Sequence, residues 1–513
     1  MNLRPMMMKP FAAAPRRLAL LCLPLALMGC GLTRPPALAS APIPTQWNAP
    51  LPPAGTLPTD AAALPHAGSL PALTEWWRQL DDPVLITLIE SAQAASPTVA
   101  SASARIAEAR GTRVQSGAAL LPTLDGTLSA QRSNSPLGGT SSGTGGASSS
   151  LPAVTTLQAG LQSSWELDLL GGRLASRDAA DARLQSASAR WHDARVSVAA
   201  ETANQYFAER ACQRQLAVAE SDARSRGETA RLTDLSAKAG FTAPADAALA
   251  RASAADASAR LTQQGAQCAV LRKGLVAMSG LDARELDQRL ATVPADRTLP
   301  PVHAVASVPA QMLAQRPDVF AAELAVAAAS ADVGAAEADR YPRLTLQCSV
   351  AALQLRSGGA HQSLQTWTIG PLALTLPIFD GGVRAANAES AKARYDEAVS
   401  LYRANVRTAV REVEEALVNL QATDARTGDA DTAVQNYQAS FNATQARYES
   451  GLASLFELED SRRTLFAAQT ARVALQRERA EAWVALYRST GGGWTRPDAA
   501  LALNTPSLSS TTP

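Results

Sequence analysis

The sequence predicts a mainly α protein that also carries a membrane β-barrel, built as a duplicated unit of long antiparallel helices with four strands per chain. Three observations predict it. Punctuation recurs at a fixed interval: Gly240 and Gly451 lie 211 residues apart, as do Asp246 and Glu457, while Gly171 and Gly381 lie 210 apart. The runs Gly172 to Lys238 and Gly381 to Arg447 are free of Pro and rich in Ala, Glu, Arg and Gln, the composition of long helix. Two pairs of segments, 122–131 with 156–170 and 343–355 with 367–379, alternate apolar with small or polar residues, as strands with one wet face do.

The helices turn at two tips. In Arg447-Tyr448-Glu-Ser-Gly451, Gly451 is placed to stop a helix as a left-handed cap, and Ser454 with Glu457 three residues later forms a capping box that starts the next. In the first copy Gly240 makes the stop, and Pro244 falls in the first turn of a helix that also holds Asp246. A short helix break is expected near Thr427-Gly428-Asp429, and another at Ser96-Pro97.

The chain begins with Lys9, Arg16 and Arg17 ahead of the apolar run Leu18 to Leu27, so residues 1–29 read as a secretory signal, too short to span a membrane. Residues 30–73 are rich in Pro and Ala and read as a flexible tether, with order beginning at Trp76-Trp77. A first repeat then covers 74–290 and a second 291–490. Gly491-Gly-Gly493 reads as a flexible exit to a disordered tail over 491–513.

Past the signal no apolar run of 18 residues is evident, so the strands, each near the 9–11 residues of a tilted span, are the membrane elements. Four strands cannot close a barrel, and open edges in lipid leave backbone groups unpaired, so the chain must oligomerise. Three copies supply 12 strands and two supply 8, and only the wider barrel leaves room to conduct. At about 1.5 Å per residue, Gly172 to Lys238 makes on the order of 100 Å of helix, far beyond a bilayer and fit to cross a periplasm.

Net charge +1, from 47 basic and 46 acidic residues, offers no basic field for nucleic acid. The four histidines, His66, His192, His303 and His361, are scattered, and no nucleotide or metalloprotease motif appears, so neither an enzyme nor a cofactor is expected. Beyond the signal region only Met278 and Met312 remain, too few for a soft-metal ladder.

These residues resemble a family, the TolC-like outer-membrane efflux factors, in their lipoprotein branch. The resemblance rests on Gln315-Arg-Pro-Asp318 with Ala322-Glu323, Tyr341-Pro342, Leu376-Pro-Ile-Phe-Asp-Gly-Gly382, Trp165-Glu-Leu-Asp168 and Arg447-Tyr448-x-x-Gly451, and it covers Trp76 to about Tyr487. Leu27-Met-Gly-Cys30 is similar to a lipoprotein cleavage box, which makes Cys30 the lipidated residue, and Gly31 favours outer-membrane sorting. The resemblance implies a homotrimer with a 12-stranded barrel, a helical barrel, and a belt formed near 280–310 and the C-terminal region. It also implies passive export of small toxic molecules, with a periplasmic adaptor protein, an inner-membrane pump and outer-membrane lipid as partners. The same architecture serves as the exit duct of type I protein secretion, which remains the alternative.

The family's acidic constriction falls on Glu457 and Asp460, with Asp246 in the matching place of the first copy, and the tips on Gly240, Gly451, Arg447 and Tyr448. Capping alone also explains Glu457, though pore lining is favoured. A basic residue that some members carry two positions after the tip glycine is Ala453 here, so that lock is expected to be missing. Cys212 and Cys268 each lie 28 residues from Gly240, hence at one height in a hairpin; a disulfide is open to them, but two small buried thiols are favoured.

Overall fold

A computed structural model describes residues 34–42, 76–133, 153–293, 313, 315–357, 359–494 and 496. The signal segment, Cys30, the Ser- and Gly-rich loop after strand one, most of the belt expected near 280–310 and the tail beyond 496 lie outside the described residues. In chain order the elements are α1 (Pro83–Ala95), α2 (Pro97–Ala118), β1 (Thr123–Ser133), β2 (Val154–Leu167), α3 (Gly172–Lys238), α4 (Pro244–Ser279) and α5 (Ala283–Ala291). There follow α6 (Pro317–Ala338), β3 (Arg343–Ser357), β4 (Ala360–Thr375), α7 (Val383–Glu449) and α8 (Leu455–Ser489). Helices α3 and α7 each have 67 residues, while α4 and α8 have 36 and 35, so length as well as punctuation repeats.

The chain divides into two compact units, each drawing on both halves of the sequence. One holds the strands with residues 108–184 and 324–400; its single antiparallel sheet runs β1-β2-β3-β4, leaving β1 and β4 as edges. Residues directly opposite one another share a face, so the register sorts the side chains. Leu124 and Leu128 of β1, Leu161, Trp165 and Leu167 of β2, and Leu344, Leu346 and Val350 of β3 fall on one face with Trp367, Ile369, Leu372 and Leu374 of β4. The other face carries Asp125, Thr127 and Gln131 of β1, Gln158, Gln162 and Glu166 of β2, and Thr366 and Thr368 of β4. Leu128, Trp367 and Ile369 are more than 70% exposed.

That segregation needs one irregularity. Leu346 pairs with Leu372 and Cys348 with Ile369, so β4 spends three steps where β3 spends two. The extra residue resets the alternation and keeps Leu372 and Leu374 on the apolar face with Trp367. Strand four also begins earlier than expected, at Ala360 instead of Trp367, because Ala360 already pairs with Ser357 and His361 with Arg356. It stops at Thr375 ahead of Pro377, which cannot donate to a ladder.

The other unit has its core where α1, α3, α4, α5, α7 and α8 meet. Trp76, Leu85, Leu88, Tyr206, Leu275, Leu286 and Leu486 are essentially buried there, with small Ala199, Ala203 and Ala416 letting helices approach closely. Trp76 packs tilted against Trp483 at 4.5 Å between ring centres, and Trp77 likewise against Tyr487 at 4.6 Å. Asp82 caps α1 through the Val84 and Leu85 amides and accepts the Tyr206 hydroxyl at 2.6 Å; burial and that carboxylate push the Tyr206 hydroxyl pKa up. The Gln-Arg-Pro-Asp motif has a structural role in this unit: the Arg316 guanidinium, 5% exposed, reaches both Asp318 oxygens, Glu412 at 2.7 Å and the Ser489 carbonyl at 3.2 Å. It ties α6 to α7 and to the end of α8.

Several expectations are corrected. Helix α7 runs unbroken through Gly428, since a lone glycine weakens a helix by only about 1 kcal/mol. Gly491 and Gly492 are not a flexible exit. A Cβ on Gly491 would fall 2.6 Å from the Gln315 carbonyl oxygen, and one on Gly492 would fall 2.5 Å from Val196. Trp494 then stacks on Phe320 at 5.3 Å and Arg496 pairs with Glu323.

Cys212 and Cys268 are bonded as a disulfide with Cα atoms 5.6 Å apart, so the reading as two separate thiols fails: equal height was matched by facing. Residues 34–42, read as part of a flexible tether, carry specific contacts. Among the described residues one helix, α6, is by length and composition apolar enough to cross a membrane, although no such run was expected; about half of its apolar window is buried within the protein.

Two substitutions check the glycine readings. Gly428→Ala adds a methyl that meets nothing within 4 Å and should stabilise by about 0.5–1 kcal/mol, whereas Gly491→Ala must displace backbone and should lower the thermal midpoint of the detergent-solubilised protein. Replacing both Cys212 and Cys268 by Ser should destabilise by about 2–4 kcal/mol in the same assay.

Candidate functional site at the helix tips

Each long hairpin ends in the same backbone device. Gly240 and Gly451 adopt φ of 81° and 75°, the left-handed region that side chains disfavour. The amide after each glycine bonds the carbonyl five residues back, Phe241 to Ser236 and Leu452 to Arg447, and the glycine amides bond Ala237 and Tyr448. The restarts differ. Helix α4 begins with Pro244 and no side-chain cap, whereas Ser454 and Glu457 exchange both bonds of a capping box at 3.2 and 2.7 Å.

Glu457 is exposed, and the Ser454 amide N–H, followed by its hydroxyl and Arg447, holds its carboxyl below the usual range. Arg447 donates to the Leu452 carbonyl at 3.1 Å and approaches Glu457 at 3.9 Å. Arg447 thus puts a basic group inside the turn, though an exposed pair at that distance adds little stability. Asp460 pairs with Arg463 one turn on. Asp246 is exposed in the first turn of α4, the place Glu457 takes in α8. Tyr448 bridges the hairpins: its hydroxyl lies 3.1 Å from the Thr233 hydroxyl.

The residues that bind the two hairpins together were not foreseen. Glu459 accepts from Arg226, from Ser253 at 2.7 Å and from Arg462 at 2.7 Å, while Arg226 also donates to Asp222 at 2.9 Å and Arg462 to Thr229 at 3.1 Å. Arg226, Arg462 and Asp222 are all buried, and burial pulls the Arg462 guanidinium pKa down. Arg462 also covers the Phe441 ring at 5.6 Å. Beneath lies a small apolar patch of Ala230, Ala250, Leu455 and Leu458. The sequence did hold a signal: Asp222 with Arg226 and Glu459 with Arg462 are helix-neighbour pairs in otherwise Ala-rich stretches. Among the described residues no cluster of acids, histidines or cysteines could hold a metal ion.

An antiparallel sheet with one apolar face and open edges, together with paired helix hairpins that turn at glycine tips, defines a sheet-and-helical-hairpin protein. The family model for outer membrane efflux proteins matches residues 88–281 and 308–492, and the chain belongs to that family. It is 31% identical over 486 residues to the pyoverdine export outer membrane protein OpmQ of Pseudomonas putida, covering 94% of this chain and 98% of that one. It is 28% identical to the toluene efflux pump outer membrane protein TtgI of the same species, over 92% of this chain and 97% of the other. Among solved structures, the outer-membrane channel OprN aligns with a TM-score of 0.72 at 26% identity, over 90% of this chain and 98% of that one. The CmeC outer membrane channel of Campylobacter jejuni aligns at 0.73 and 23% identity over 84% and 90%, a likeness of fold.

Glu459 and Glu457 should separate on mutation. Glu459→Ala leaves two buried guanidinium groups without their shared acceptor and should cost about 3–5 kcal/mol of local stability, whereas Glu457→Ala removes half a cap and should cost about 1 kcal/mol. Hydrogen exchange of amides in 222–262 and 441–466 reads both; equal protection in the two variants would refute the assignment.

Proposed function

We propose that the chain is the outer-membrane channel of a tripartite efflux system, giving small toxic molecules passive exit across the periplasm and outer membrane. One observation carries this reading: a four-stranded sheet, apolar on one face and polar on the other, has unpaired edges on β1 and β4. Lipid tolerates no such edge, and three copies closing edge to edge make a 12-stranded barrel with the polar face inward. The names of relatives, which export pyoverdine, toluene and solvents, support small molecules over protein substrates.

Three finer assignments belong to this reading. Cys30 carries the lipid that anchors the chain in the outer membrane. Glu457, Asp460 and Asp246 ring the closed tip around the threefold axis, where their nine carboxylates favour cations. The periplasmic adaptor docks on the tips, where Phe241, Leu452 and Phe456 are exposed large apolar residues, and links the channel to the inner-membrane pump.

The detergent-purified protein should be a trimer that forms one cation-preferring pore in planar bilayers, and a monodisperse monomer with full strand content would overturn the proposal. Replacing Glu457 and Asp460 together by Ala should raise conductance and weaken cation preference. If recordings from that double variant match the parent, the acids serve as helix caps only.

A further inference from the structure

The stretch that precedes the ordered body is gripped at three successive residues. Arg34 pairs with Asp178 of α3 at 3.0 Å. The Ser330 hydroxyl of α6, almost fully buried, donates to the Pro35 carbonyl at 2.6 Å, and the Tyr395 hydroxyl of α7 donates to the Pro36 carbonyl at 2.9 Å. Proline offers no N–H, so the carbonyl is the backbone's only polar handle there, and both prolines have theirs taken.

The Arg34 side chain also has a groove made for it. A Cβ at Gly334 would fall 2.8 Å from Arg34 Nε and 3.0 Å from Cγ, so α6 carries a glycine near its C-terminal end where the Arg34 side chain crosses it. Alanine would make the better helix by about 1 kcal/mol, and the site forgoes it. All three helices border the sheet: Asp178 is in the second turn of α3 after β2, Ser330 and Gly334 are in the last turns of α6 before β3, and Tyr395 is in the fourth turn of α7 after β4.

Arg34 lies four positions after Cys30, and a fully extended chain covers at most about 14 Å in that span. We propose that Arg34, Pro35 and Pro36 form a clasp that fixes an acylated Cys30 beside the helices bordering the sheet, so that acyl chains and apolar sheet face meet the same membrane. The clasp rests on the reading of Cys30 as the lipidated residue. It is a positioning device and leaves the acylation chemistry untouched.

The test uses the full-length protein made in cells fed a palmitate analogue that carries both an alkyne tag and a photoreactive group. In the parent, illumination should link the acyl chain to peptides of residues 123–184 and 324–400. Arg34→Ala and, separately, Gly334→Leu should keep the label, lose those links about tenfold, and expose residues 34–42 to added protease about tenfold faster. The exchange of Arg34→Asp with Asp178→Arg should restore both protections. Absence of label on the parent would overturn the acylation reading and the clasp with it. Label with unchanged links and unchanged cleavage in both single variants would overturn the clasp alone.

Discussion

Backbone groups at the edge of a sheet must find partners, and lipid supplies none. This constraint governs the chain: a four-stranded sheet with an exposed apolar face and unpaired β1 and β4 is incomplete by itself. The helices inherit the consequence. In the proposed assembly, closing the sheet with neighbouring copies would also bring neighbouring helix pairs together. Bulk is concentrated where Trp76, Trp77, Trp483 and Tyr487 pack in the core of the helical unit.

Away from that core, the hairpins are held by chemistry of a different kind. A disulfide joins α3 to α4 at Cys212 and Cys268, and farther along the same helices a buried ionic cluster centred on Glu459 joins them to α8. Apolar packing, a covalent staple and a charged knot thus succeed one another along one hairpin. Buried ion pairs contribute less net stability than apolar packing but tolerate misalignment poorly, which suits a place where two hairpins must keep a single register.

Much of the fold was legible because its signals are local. Glycines with positive φ, a capping box and long proline-free runs act within a few residues, so the tips at Gly240 and Gly451 and the extent of α3 could be read directly. What escaped depends on contacts distant in sequence. Gly428 looked like a break because its neighbours in sequence said nothing of the helices packed along α7, and Gly491 looked like slack because the Gln315 carbonyl that confines it is far upstream. Glu459 was passed over for its exposed neighbours Glu457 and Asp460, since the side chains that bury it come from α3 and α4. The disulfide was half legible: spacing gave height, and only packing gave facing.

The extra residue in β4 changes how that strand can be probed. Counting alternate positions from Trp367 toward the C-terminal end leads to Pro371 and Ala373, yet Ala373 pairs with Thr345 on the polar face, while Leu372 and Leu374 continue the apolar one. A scan of reporter side chains designed by strict alternation would therefore cross from one solvent to the other partway down the strand. Its two halves would give opposite accessibilities for a single, unbroken strand, and a one-residue deletion between Ile369 and Leu372 would make plain alternation true again.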